Sequence, residues 1–290
     1  MANLAKRLPS NVDGDFFVDS TCIDCDQCRE IAPNVFGDAD AHASVLNQPA
    51  SAVQVQSALR ALVACPVGAI GTEQRHALGP VVAGFPEPLS GNVFFCGFAS
   101  PDSFGASSYL IVREHGNVLV DSPRFASRLV RRIEELGGVR WMFLSHVDDI
   151  ADHAKFQRHF GCQRIIHERE ASAATALMEQ KLVGVSPQSL GPDLLAIPTP
   201  GHTRGHTVLL YRDRFLFTGD HLWWSRERNR LSASRAYCWY SWPKQVQSME
   251  RLLEYRFEWV LPGHGTRHHA DAATMHRSLK ACVRWMKGED

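Results

Sequence analysis

The sequence has no excess charge of either sign. Its 31 Lys and Arg residues face 31 Asp and Glu, and its pI is near 7.2. Nothing in that balance points to a nucleic-acid or membrane-surface partner. Long apolar runs are absent too. None approaches the roughly 18 residues a membrane-crossing helix needs, and residues 1–7 lack the apolar core of a signal peptide. There is no internal repeat and no low-complexity tract, so solenoid and disordered classes drop out. A soluble cytoplasmic chain is expected. Hydrophobic residues make up 44% and charged residues 21% of the 290, enough for a sizeable core. At roughly 100–200 residues per domain, two domains are expected.

The eight cysteines do not spread as a disulfide framework would. Cys96, Cys162, Cys238 and Cys282 are scattered singly and read as small buried apolar residues. The other four are clustered. Cys22-Ile23-Asp24-Cys25-Asp26-Gln27-Cys28 places three thiolates on one tight loop, and Cys65 precedes Pro66. Three such thiolates can hold three corners of a cubane [4Fe–4S] cluster, with the fourth ligand coming from elsewhere. Zinc sites more often show paired arms. The motif occurs once, so one cluster is expected. The segments 22–36 and 65–70 resemble the single-cluster bacterial ferredoxins. That resemblance implies a small α+β ferredoxin-like domain with Cys22, Cys25, Cys28 and Cys65 as the cluster ligands.

Patterning divides the chain. Residues 1–78 read as the small domain, with strands near 16–18 and 43–46 and a helix over 51–64 capped by Ser51. Residues 79–91 carry Gly79-Pro80, Gly84, Pro86, Pro88 and Gly91, the composition of a linker. Residues 92–290 read as a layered α/β domain. Strands are expected at 93–96, 107–113, 117–121, 141–144, 163–167, 194–198, 206–212, 215–218 and 258–261. Helices are expected at 125–136, 152–160, 168–180, 243–255 and 270–287.

Four stretches of the second domain carry metal-binding residue types, each after an apolar run: 145–153, 199–206, 218–221 and 261–265. Imidazole suits zinc and iron alike, and a carboxylate can bridge two ions. Two ions held together can polarise a substrate and generate hydroxide. In this order the four stretches resemble the metallo-β-lactamase superfamily, especially its glyoxalase II-like branch. The resemblance covers residues 91–290 and implies a four-layer αββα fold. It also implies a first metal on His146 and His202, a second on Asp152, His153 and His264, and Asp220 as the bridging carboxylate. Asp152 and Asp220 would then also serve catalysis.

The family pattern His-x-His-x-Asp-His is altered. Asp148 stands in the second histidine's place, and the Asp-His pair comes two residues late. Either Asp148 or Asp149 replaces the imidazole, or the first position is weak and one metal remains. The flavodiiron branch, which binds two irons, also has a carboxylate there. His206 reads as orienting a ligand loop, and His167 and His221 are further candidates for the site. The other lone histidines read as ordinary core or surface groups. Residues 222–243, rich in Trp, Tyr and Arg, would either border the pocket and hold an anionic substrate with an apolar part, or pack as an ordinary insertion.

Three functions fit. One is a redox metalloenzyme in which the cluster domain exchanges electrons with, or on behalf of, a di-metal site of iron, zinc or manganese, served by a redox protein partner. Another is a zinc hydrolase of esters, thioesters, lactones or phosphodiesters with a structural or sensory cluster. The third is a non-catalytic metal-sensing module. A small-molecule substrate is expected for the first two.

Overall fold

A computed structural model describes residues 2–39 and 41–289. The chain forms two compact units, one of residues up to 140 with 151–161, the other of 141–150 with residues from 162 onward. No helix among the described residues is long and apolar enough to cross a membrane.

In the first unit, strand Phe16–Val18 pairs antiparallel with Ile70–Thr72, and Phe36–Ala39 pairs with His42–Val45. Helix Ala52–Ala64 starts where Ser51 accepts a hydrogen bond from the Gln54 amide. It ends at Cys65 because Pro66 drives the preceding residue out of the helical region; Cys65 has ψ 121°. A helix end therefore delivers one thiol. The loop carrying the other three is curled by Asp24 and Asp26 at φ 58° and 69°, values that short polar side chains tolerate better than most.

The segment expected as a linker is structured. It holds helix Leu78–Ala83 and strand Glu87–Ser90, which pairs with Val93–Phe95. Pro80 sits in the first turn of that helix, where its missing N–H costs no internal bond, and Pro88 lies on an edge strand. Strands Val93–Phe95, Tyr109–Ile111 and Val118–Val120 continue the antiparallel run. Helices Ser127–Glu135 and His153–Phe160 complete the unit.

In the second unit, Trp141–Phe143, Gln163–His167 and Gln180–Leu182 form a parallel run. A second sheet runs through Gln188–Gly191, Leu194–Pro198, Thr207–Tyr211, Phe215–Gly219, Trp259–Pro262 and His268–His269. Its registers matter for the site. Leu194–Pro198 lies antiparallel to Thr207–Tyr211, so loop 199–206 is a hairpin connection. Phe215–Gly219 runs parallel to Trp259–Pro262, so Asp220 and His264 leave the sheet at the same end. The Thr207 amide donates to the Ser145 carbonyl, which brings His146 to that end as well. Helices Trp242–Leu252 and Ala272–Lys287 cover this sheet, packing Met249, Leu252, Met275 and Leu279 against Leu210, Leu216 and Val260.

One expected helix does not form. Over 168–180 there is only a short 3₁₀ turn, Glu168–Glu170, and the chain reaches a strand by Gln180. The side chains compete with the helical ladder. Thr175 Oγ1 accepts from the Ser172 amide and donates to the Glu170 carbonyl, at 2.7 and 2.8 Å. Arg164, nearly buried, holds Glu179 through two side-chain bonds of 2.8 and 2.9 Å.

That pair predicts a pH signature. The Arg164 side chain bonded to Glu179 pulls its carboxyl down to about 2 from the ordinary 4.5. A lowered folded-state pKa contributes stability above the unfolded value, and the contribution is lost as pH falls from 4.5 toward 2. Glu179→Gln should lower the melting temperature at pH 7. The gap to wild type should close as the pH drops through that window, followed by thermal melts at constant ionic strength.

Candidate cluster and metal sites

Cys22, Cys25, Cys28 and Cys65 line one cavity together with Val18, Ile23, Val67, Ala69 and Ile70. All four are free thiols. Burial raises Cys25 to about 12 and lifts Cys28 and Cys65 as well. Bare, these three thiols would stay neutral, whereas bound iron would supply the charge that keeps them deprotonated. Backbone amides already aim at sulfur: Ala69 N–H at Cys65 Sγ, 3.3 Å, and Asp24 N–H at Cys22 Sγ, 3.4 Å. The donor set, the apolar lining and these amides fit a [4Fe–4S] cluster.

Residues 99–107, in the same unit, close over this loop. The Ala99 amide donates to the Ala64 carbonyl, and Gln27 Nε2 donates to Ser107 Oγ at 2.8 Å in a buried position. Gly105, at φ +84°, lies so close that a Cβ there would stand 2.6 Å from Cys25 Cβ and 2.8 Å from its sulfur. No side chain fits.

In the second unit, two imidazoles and two carboxylates face one another. His146 Nε2 lies 3.8 Å from Asp148 Oδ2 and 3.7 Å from Asp220 Oδ2. His202 Nε2 lies 3.7 and 3.8 Å from the same two oxygens. These separations are too long for hydrogen bonds. They are close to the edges of a coordination shell whose bonds are about 2.0–2.2 Å. Both imidazoles are buried, and neither Nε2 has a hydrogen-bond partner among the described residues. His202 Nδ1 donates to the Tyr237 carbonyl at 2.5 Å, which directs Nε2 toward the two carboxylates. A second group, His146, Asp149 and Asp220, also has ligand atoms within 4.8 Å of one another. His264 joins through Nδ1, 2.8 Å from Asp220 Oδ1. The donors fit a divalent metal.

The charge states suit that role. Burial, aided by His202, lowers His146 to about 4, so it is a neutral donor at pH 7. Burial opposes ionisation of Asp220, but His264, His146 and His202 outweigh it and hold its carboxyl low. His202 and His146 beside Asp148 hold that carboxyl low too, against its burial.

The remaining expected residues fall as follows. Asp152 and His153 belong to the first unit. Asp152 accepts from the Phe125 amide at 2.7 Å and pairs with Lys155 at 2.6 Å, and His153 opens its helix in a buried position. His206 is buried, with Nδ1 2.9 Å from Thr199 Oγ1. His167 is engaged by backbone groups, the Gly184 carbonyl and the Arg169 amide. His221 is fully buried, stacks on His206 at 5.0 Å, and is lowered to about 3 by burial first and then by His202 and His146. Cys96, Cys162 and Cys282 are buried as expected, but Cys238 is only half-buried, its sulfur 3.2 Å from the Gly201 carbonyl.

One residue escaped the sequence reading. Glu170 is 4% exposed. Its Oε2 accepts from the Val147 amide at 3.0 Å, and its Oε1 accepts from the Gly205 amide at 2.5 Å. It thus ties the loop after His146 to the loop after His202. An isolated Glu in a helix-like stretch offers no sequence signal for this.

Glycines let the loops meet. At Gly263 a Cβ would lie 2.7 Å from Asp149 Oδ2 and 2.8 Å from Asp220 Oδ1.

Two outcomes follow. Glu170→Gln replaces one acceptor oxygen with a donor, leaving a loop amide without its partner. It should weaken metal retention in the second unit by about 10–100-fold, read by competition with a graded chelator, while cluster absorbance is unchanged. Gly105→Ala should instead impair the cluster, lowering acid-labile sulfide per chain while metal in the second unit stays.

Known families align with both sites. Residues 18–72 match the 4Fe-4S single cluster domain of Ferredoxin I, and residues 102–284 match the Metallo-beta-lactamase superfamily. No curated protein matches the chain. Among solved structures, the metallo-beta-lactamase from Pontibacter korlensis aligns at 16% identity and TM-score 0.51, covering 69% of this chain and 97% of that one. VMB-1 aligns at 16% identity and TM-score 0.51, covering 69% and 96%. At these identities the likeness shows the fold, which agrees with the fold class expected from the motifs. The chain is a member of the metallo-β-lactamase superfamily carrying an N-terminal single-cluster [4Fe–4S] ferredoxin domain.

Proposed function

We propose that this chain is a redox-linked metalloenzyme. Its [4Fe–4S] domain exchanges electrons with, or on behalf of, the metal centre of the lactamase-fold domain. One observation carries the reading: Asp148 stands with Asp220 opposite His146 and His202, each pair 3.7–3.8 Å apart. Replacing an imidazole with a carboxylate makes the donor set harder, which shifts preference from zinc toward iron or manganese. A one-electron cluster in the same chain gives such a metal a use that hydrolysis would not require.

The roles divide as follows. His146, Asp148, His202 and Asp220 hold one ion. Asp220 would also reach toward a second position served by Asp149 and His264 of the same unit. A metal bound there supplies Lewis acidity and, if it is iron or manganese, electron transfer. The chain's own contribution is to keep His146 neutral and Asp148 and Asp220 ionised at pH 7. Glu170 and the Tyr237 carbonyl hold the ligand loops in place. A small molecule is the substrate, and a separate redox protein supplies or removes electrons.

The test is metal and sulfide content after anaerobic purification, with EPR before and after dithionite. The cluster accounts for about four irons and about four sulfides per chain. Iron or manganese beyond that, lost in Asp148→Ala with sulfide unchanged, is the expected result. About two zinc ions per chain, with iron matching sulfide, would favour hydrolysis of an ester, thioester, lactone or phosphodiester. Full occupancy in Asp148→Ala would remove Asp148 from the ligand set.

A further inference from the structure

Large aromatic side chains normally leave water on folding, yet three of them within four residues do not. Tyr237, Trp239 and Tyr240 are 65%, 63% and 44% exposed. The rest of the aromatic, Arg-rich stretch behaves differently. Trp224 is buried in a hairpin of Trp223–Ser225 with Arg230–Ser232, and Arg228 and Arg230 stack on Trp285 at 4.6 and 5.8 Å. Core packing therefore explains the first half of the stretch and leaves 235–240 unexplained.

This exposed loop is strapped to a metal-binding loop. The Tyr240 amide donates to the His202 carbonyl and the Ser241 amide to the Gly201 carbonyl, both at 3.0 Å. The Tyr237 carbonyl accepts from His202 Nδ1. The Trp239 ring lies 6.2 Å from the His202 ring, and the Tyr237 ring meets Trp239 edge-on at 6.1 Å. The backbone is fixed at several points, while the rings face solvent beside a ligand whose Nε2 points to the metal position.

Cationic groups border the same rings. The Arg204 guanidinium sits over Tyr240 at 5.4 Å, and Arg235 lies in the same exposed loop, two residues before Tyr237. Neither arginine makes an ion pair among the described residues, and both are exposed. Flat apolar faces beside unpaired guanidinium groups suit a ligand with a planar hydrophobic part and a negative charge.

We propose that Tyr237, Trp239 and Tyr240, with Arg204 and Arg235, form the substrate-recognition lip of the metal centre, and that the substrate is an anion bearing a flat aromatic or conjugated group. The lip sets specificity and takes no part in bond making. The assignment rests on the metal-centre reading above, so its test separates the two.

Calorimetric titration of the full chain, metal-loaded and after chelation of the second-unit metal, would use three probes: 2-naphthoate, neutral 2-naphthamide and non-planar cyclohexanecarboxylate. The naphthoate should bind at least about tenfold tighter than either of the others, the scale of one stacking or cation–π contact. Trp239→Ala should remove about that factor, and Trp239→Phe should keep most of it because a flat face remains. Arg204→Gln should abolish the preference of naphthoate over naphthamide. Naphthoate binding that Trp239→Ala leaves unchanged, or that is equalled by cyclohexanecarboxylate, overturns the lip. Trp239-dependent binding in a chain whose second unit takes up no iron, manganese or zinc on reconstitution would keep the lip and overturn the metal reading.

Discussion

Two loops that carry the facing imidazoles of His146 and His202 end on the same buried carboxylate. Glu170 accepts one amide from the loop after His146 and one from the loop after His202. A buried carboxylate is costly unless its oxygens are satisfied, and here the satisfying donors are backbone groups of different loops. Meeting that requirement fixes the distance between the loops. The imidazole nitrogens of His146 and His202 face one another across those loops.

The site is built from groups that the fold leaves incomplete. Nε2 of His146 and of His202 is buried without a hydrogen bond, although burial of an unpaired polar atom is normally avoided. Metal coordination would resolve the conflict for these two imidazoles. The cluster cavity follows the same logic. Burial pushes the Cys25, Cys28 and Cys65 thiols toward neutrality, while backbone amides are directed at the sulfurs of Cys22 and Cys65, where bound iron would hold thiolates.

The two sites are embedded differently. The cluster loop is closed by residues 99–107 of its own compact unit, through Gly105 against Cys25 and Gln27 to Ser107. The cluster is thus part of that unit's packing, and the turn-rich stretch after residue 78 is structured. The candidate metal site lies at one end of a sheet, where strand registers deliver His202, Asp220 and His264 from three connections.

Much of this was legible in the chain itself. Gln163–His167 and Leu194–Pro198 were placed to the residue, each around a short apolar core, Ile165-Ile166 in one and Leu194–Ile197 in the other. Cys65-Pro66 announced a helix end with a thiol on it, since proline restricts the residue before it. The altered first motif was visible as Asp148 in a histidine's place. Other features needed the tertiary structure. The helix expected over 168–180 is broken by side-chain bonds of Ser172, Thr175 and Glu179 to partners that helical periodicity does not register. Glu170 meets amides 23 and 35 residues away, and the exposed aromatic loop meets His202 about 35 residues away. Local patterning records which residues favour water, helix or strand. It carries no information on which distant groups a carboxylate or a ring will meet, because that is set by strand register and loop closure.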